Sequence, residues 1–378
     1  MMYRIVMYRI WMPLFFLPLF PAIGVAQKSA DTSMTISFRK RFAIGGTNGD
    51  FTPPSLFAKD IAADRAGNLY VLDRASNSVY RYDARGARVA TFGRNGRGPG
   101  EIVRATAIGT TAEGGVVVAD NGKRALVFFG PQAQVLPEQP TRGMGTVQQL
   151  LSAGAQRVLL QATVGDTDVV IGASGEARQR IVVAPPAPRR PVRTYERCGL
   201  VEQTSAPLLS PILVSGGNAE MVAVASDTAY AITLYPHSGG RRVLSSGRSA
   251  VRLDAAMAIR VLGDSQTIYV GTRPCSVSTS DLMREATLAR FLRPYARLIL
   301  HPDGTVWALR TGPIGGERIA DVYSLQTGYR GWVRIGRSNP VAFMSDGGMI
   351  SLEYDDLDAP TVVVYDTVMP LRSRVKQQ

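Results

Sequence analysis

From Leu56 to Glu101 the chain alternates short apolar runs with turn residues. Asp60–Asp64, Leu69–Asp73, Val79–Asp83 and Arg88–Phe92 are separated by Gly67-Asn68, a polar turn and Arg85-Gly86. Runs of this length, rich in β-branched and aromatic residues and bounded by Gly, Asn and Asp, predict four strands of an antiparallel meander. One meander cannot bury both of its faces, so the pattern calls for copies of itself alongside. A second copy runs from about Arg104 to Pro137, where Gly114–Asp120 repeats Gly67–Asp73 and Ala125–Phe129 repeats the third run.

The same pattern can be followed to the C-terminus with less regularity. Val147–Ser152, Arg157–Thr163, Asp168–Ala173 and Arg180–Ala184 fit a third unit, followed by the Pro/Arg-rich stretch Pro185–Pro191. Pro211–Ser215, Met221–Ser226, Ala229–Tyr235 and Arg241–Ser245 fit a fourth. Arg252–Leu262 and Thr279–Phe291 read as short helices of an insertion. Leu298–Leu309 is a hairpin about Asp303-Gly304, completed by Asp321–Leu325 and Trp332–Ile335. Met344–Leu352 repeats that hairpin about Asp346-Gly347, and Thr361–Tyr365 is a third strand with no fourth after it. Thr35–Ile44, near the other end of the chain, can supply the missing strand and close a ring, which leaves no free sheet edge.

Asp64-Arg-Ala-Gly67-Asn68-Leu-Tyr70-Val71-Leu-Asp73, Asn77-Ser-Val79-Tyr-Arg-Tyr82-Asp83 and the glycine-rich link Gly93–Glu101 carry a resemblance to the NHL repeat. The resemblance implies a β-propeller of four-stranded antiparallel blades, and the units counted above make the expected fold all-β and six-bladed, with a short helical insertion before the fifth blade. The expected division is a signal peptide over 1–26, a polar leader over 27–33 and one propeller domain over 34–378, with the insertion at about 250–294.

Composition agrees. Of 378 residues 45% are apolar, enough for a large core, and 38 Gly and 23 Pro suit many turns. The first residues change the picture of where the chain works. Arg4 and Arg9 form a basic n-region, Ile10–Phe20 an apolar stretch interrupted by Pro13 and Pro18, and Gly24-Val25-Ala26 a small-residue cleavage site. This is the pattern of a secretory signal, cut between Ala26 and Gln27, with no transmembrane segment left afterwards. A periplasmic or secreted, monomeric protein is expected. In that compartment Cys198 and Cys275, the only cysteines, could form a disulfide. The net charge of +13 favours anionic partners, although a bias of the sequence towards Arg would give the same total.

Candidate chemistry is sparse. His237 and His301 are the only histidines, too few for a histidine-ligated zinc, and His301 is expected to be structural. No G-x-S-x-G elbow or phosphate loop appears, and Gly93–Gly100 lacks the G-K-[ST] ending. Asp355-Asp356-Leu357-Asp358 reads as a solvated loop before a Ca²⁺ site. No catalytic residues, metal ligands or cofactor are therefore expected. What remains is basic: Arg74, Arg94, Arg97, Arg104, Lys123, Arg124 and Arg310 fall on links and turns that a propeller gathers on one face. Arginine forks there can bind carboxylate or phosphate. The expected function is a non-catalytic binding module for a protein, peptide or anionic glycan, with nucleic acid not expected because the signal exports the chain. The alternative is a metal-dependent hydrolase or lactonase with its site in the central channel.

Overall fold

A computed structural model describes residues 33–368 except 48, 50–55, 112, 154–156, 176, 185–192, 196–198, 202–212, 219, 271–272, 281–290, 314–315 and 358. The signal, most of the leader, Pro185–Pro191 and Cys198 thus lie outside the described residues.

The strands assemble as six four-stranded antiparallel blades about a central channel. Blade one is Ile61–Ala63, Leu69–Asp73, Ser78–Tyr82 and Arg88–Phe92, and blade two is Ala105–Thr110, Val116–Asp120, Ala125–Phe129 and Val135–Pro140. Blade three spans Thr146–Ala153, Val158–Val164, Thr167–Ser174 and Ala177–Val183; blade four spans Ser215–Gly217, Met221–Ala225, Ala231–Pro236 and Arg242–Ser245. Blade five is Tyr295–Leu300, Thr305–Arg310, Arg318–Ser324 and Gly328–Gly336. Blade six takes Pro340–Phe343, Met349–Tyr354 and Pro360–Val368 from the C-terminal end and its outer strand, Ser37–Gly45, from the N-terminal end. The innermost strands touch their neighbours all the way round, from blade one through blade six and back to blade one.

Blades pack face to face, and this sets the sequence pattern. Every residue of Leu69–Asp73 and Val116–Asp120 is buried, because both faces of a blade's second strand are covered by its neighbours. Such strands read as continuous apolar runs, whereas the exposed outer strands read as mixed ones. Tyr70, Phe92 and Phe129 tie blade one to blade two through ring contacts at 5.9 Å, a tilted pair and an edge-on pair.

Closure by Ser37–Gly45 agrees with the placement of Thr35–Ile44, with the strand shifted by one or two residues. Before it, Ser33–Met34 adds a fifth, parallel strand to the outer edge of blade five, against Trp332 and Val333. Ser33, read from sequence as the end of a polar leader, is therefore part of a strap across the seam between blades five and six. The insertion holds the helix Ala255–Leu262, begun by the Asp254 carboxylate accepting the Met257 amide at 2.8 Å, and an unforeseen hairpin, Ser265–Val270 with Arg273–Ser278. The second expected helix, over 279–291, falls almost wholly outside the described residues. Cys275, on that hairpin, is disulfide-bonded, and the chain has one other cysteine, Cys198.

The acidic loop after Met349–Tyr354 serves the closure. One oxygen of Asp355 accepts the Leu357 and Ala359 amides at 3.0 and 2.9 Å, and the other accepts the Thr47 amide at 2.7 Å. These amides hold its carboxyl down from 3.8 to about 2, with Thr47 the largest cause. A depressed carboxyl stabilises the fold above its unfolded value and ceases to do so as pH falls through its folded one. The melting temperature of the parent should therefore approach that of Asp355→Asn as pH is lowered from about 4 to about 2. A gap between the two that does not shrink over that window would remove Asp355 from the closure.

Candidate functional site

In this topology the link entering a blade and the turn between its second and third strands lie on one face. The predicted basic residues are on that face, but they do not form one unpaired patch. Arg74 donates from Nε and Nη2 to Asp60 Oδ1 at 2.9 and 2.5 Å, and from Nη2 to the Thr106 carbonyl at 2.8 Å. It also lies over the Phe57 ring at 5.0 Å. Asp60 is fully buried and its second oxygen accepts the Phe57 amide, so this arginine neutralises an interior charge. Lys123 donates to the Gly98 and Glu101 carbonyls at 2.9 and 3.1 Å and to Glu138 at 2.5 Å. Arg94 pairs with Glu101 at 2.9 Å while remaining largely exposed.

Arg310 is the most firmly paired of them. It donates from Nε and Nη2 to the two oxygens of Asp321 at 3.1 and 2.5 Å, and Asp321 has no exposed surface. Tyr295 and Tyr329 also donate to Asp321, at 2.8 and 3.1 Å, and burial raises both phenols, Tyr329 to about 12. The physical reason in all these cases is the same. A buried or half-buried carboxylate needs a cation, and the loop arginine nearest to it is taken up. Arg97, Arg104 and Arg124 are the remainder: all three side chains are exposed and none has a hydrogen bond or ion pair among the described residues.

The aspartates that mark the repeat have a different role from pairing with arginine. Asp120 accepts the Val103 and Arg104 amides at 2.7 and 3.0 Å from the incoming link, and the Gly122 and Lys123 amides at 2.8 and 3.0 Å from its own turn. Asp73 accepts the Ala75 amide at 2.9 Å and the Ser76 hydroxyl at 2.6 Å. The glycine-rich link folds onto Glu101, which accepts the Gly98 amide at 2.7 Å. At Gly96, with φ of 152°, an added Cβ would lie 2.1 Å from a Glu101 carboxylate oxygen. The glycines are thus explained by the link itself.

One basic pair went unread in the sequence. Arg297, on the inner strand of blade five, donates to the Asn339 side chain at 3.3 Å and the Pro340 carbonyl at 2.6 Å, both at the link into blade six. Burial pulls its guanidinium down to about 10, and the nearby charge of Arg318 adds to the effect. Arg318 begins the third strand of blade five, on the same face, and its Nε is buried without a partner among the described residues. No carboxylate among the described residues pairs with either of them. Alternation along Tyr295–Leu300 offers no signal for Arg297, because the residue that matters to it arrives from another blade.

The central channel holds a cavity of about 640 Å³ lined by the six inner strands. Its wall is mainly Ala, Gly, Ile, Leu and Val, and among the described residues no three His, Cys, Asp or Glu side chains come together as a metal site. His301 stands at the mouth, with its ring 6.0 Å from Trp307 and 4.6 Å from Phe343, as a packing residue. A second, larger cavity of about 1210 Å³ runs between blades two and three.

No family model matches the chain, and no curated protein matches it. Solved structures do. A member of the DUF4221 family from Bacteroides vulgatus aligns over 89% of this chain and 99% of its own, with 8% identity and a TM-score of 0.52. Regucalcin from Agrobacterium tumefaciens, a calcium-binding protein, aligns over 90% and 97%, with 9% identity and a TM-score of 0.45. Virginiamycin B lyase from Staphylococcus aureus aligns over 88% and 100%, with 10% identity and a TM-score of 0.42. Likeness at this level of identity shows the fold alone: a six-bladed propeller. Among the described residues no helix is long and apolar enough to cross a membrane.

Proposed function

We propose that the chain is an exported, NHL-like propeller that acts as a non-catalytic binding module for an anionic ligand, held on the face that carries the links between blades. The observation that supports this reading best is the Arg297–Arg318 pair. Two like charges in a partly desolvated site repel one another, and the bonds from Arg297 to Asn339 and Pro340 satisfy its donors without neutralising its charge. A carboxylate or sulfate of a ligand supplies the missing charge, and Arg97, Arg104 and Arg124 extend the positive surface around the same rim.

Neutralising Arg97, Arg104 and Arg124 together to Gln should leave the melting temperature within about 1 °C of the parent, since exposed unpaired side chains contribute little to stability. It should weaken binding of polygalacturonate or poly-glutamate in biolayer interferometry by roughly tenfold, given about 0.5 kcal/mol for each exposed charge. The two polymers separate a glycan from an acidic peptide. Binding of both at parental strength would sink the rim as the site.

A further inference from the structure

Among the described residues of the channel, Lys59 is a group that neither the fold nor the rim accounts for. Lys59 lies in the turn Ala58–Asp60 just before the inner strand of blade one, and its side chain lines the channel cavity. Blades two to six line that cavity with the later parts of their inner strands and the turns that follow, such as Ile108–Thr111, Gln149–Ala153 and Leu298–Pro302. The cavity therefore opens on the face opposite the rim, past Arg65 and His301, and Lys59 stands at its far end. Lys59 is half-buried and its side chain has no hydrogen bond or ion pair among the described residues.

Its neighbours keep it that way. Asp60, adjacent in sequence, is occupied by Arg74 on one oxygen and the Phe57 amide on the other. Arg74 then faces Lys59 as a second cation, and burial together with that charge lowers the ammonium from its ordinary value. A half-buried amine at the end of a cavity, with no acid bound to it among the described residues, is a setting in which lysine acts as a nucleophile. We propose that Lys59 is a reactive amine that captures a small aldehyde or ketone in the channel as an imine. The neutral amine attacks the carbonyl carbon to give a carbinolamine. The carbinolamine loses its oxygen as water together with the two protons that were on nitrogen, and a carbon–nitrogen double bond remains. No oxidant or reductant is needed for that step.

The test is reductive trapping on the folded, full chain with butyraldehyde and cyanoborohydride, near neutral pH, read by peptide mass mapping. The sequence makes it clean, because the other lysines are Lys28, Lys40, Lys123 and Lys376. Lys40 is exposed and serves as the internal reference, while Lys123 is fastened to Glu138. Lys59 should be alkylated severalfold faster than Lys40, and the preference should vanish in urea. Lys59→Arg should lose that adduct while keeping its circular dichroism spectrum and its affinity for polygalacturonate, so failure here and failure of the rim reading are distinguishable. Labelling of Lys59 no faster than Lys40 in the folded protein would overturn the proposal, as would protection of Lys59 by hexanoate with no adduct from the aldehyde.

Discussion

A chain that begins after Gly45 should not survive as a soluble monomer. Ser37–Gly45 pairs along its length with Pro360–Val368, and without it that strand becomes a free edge containing Val362, Val363 and Val364. An apolar edge with unpaired amides is a template for association between copies. The loss within the molecule is large as well. Ile44 is almost wholly buried, and removing such a side chain from a core costs about 1.5–3 kcal/mol. Phe42 packs on the cluster shared with blade one, and Ile36 and Phe38 pack on the one shared by blades five and six. The ion pairs of Arg39 and Arg41 with Asp366 matter less, since exposed pairs contribute about 0–1 kcal/mol. Size-exclusion chromatography with light scattering should show aggregates or no recoverable protein. A truncated chain that elutes as a monomer and melts with the parent would remove the closing role of this strand.

The second large effect is expected at Arg310, a residue that sequence reading places on the ligand face and the structure pairs with a fully buried aspartate of blade five. Arg310→Met leaves Asp321 buried with two tyrosine hydroxyls and no cation. Breaking a buried pair from one side typically costs about 3–5 kcal/mol. The double variant Arg310→Met with Asp321→Leu should recover a good part of that loss, because it removes the stranded charge. It should not recover all of it, since Tyr295 and Tyr329 lose their acceptor. Urea unfolding of the parent, the single and the double variant measures both differences. Binding of polygalacturonate by whatever fraction remains folded should be unchanged. A stable Arg310→Met protein that has lost ligand would return Arg310 to the binding face.

The fold was legible where neighbouring strands are also neighbours in sequence. Blade one reads almost to the residue because its turns are short and its second strand is buried on both faces. Blade four reads less well: its inner strand is Ser215–Gly217, three residues with two glycines, not Pro211–Ser215. Three residues carry too little apolar alternation to mark a boundary. The insertion hairpin Ser265–Ser278 was unread because its turn carries none of the Asn-Gly or Asp-Gly signals seen elsewhere.

The candidate site was legible only as a face. Connectivity places Arg74, Arg94, Arg97, Arg104, Lys123, Arg124 and Arg310 together, but which of them are neutralised depends on acids from elsewhere. Asp60 precedes blade one, Glu138 lies on the outer strand of blade two and Asp321 lies on the third strand of blade five. The converse case is Arg297 and Arg318, separated in sequence and brought together where blade five meets the link to blade six. Local spacing has no means of showing that an arginine lacks an acid, since that is a property of the whole neighbourhood.

The Arg297–Arg318 pair is proposed to wait for an anion. The direct measurement is the affinity of Arg318→Gln and of the parent for polygalacturonate, by isothermal titration at several ionic strengths. Contacts between partly desolvated charges are screened less than exposed ones, so both proteins should lose affinity as salt rises, and the variant should be weaker at every ionic strength. The variant should also melt no lower than the parent, because one of two repelling charges has gone. Equal affinity for the two proteins, with a destabilised variant, would mean that Arg318 supports the fold and that no anion is held there.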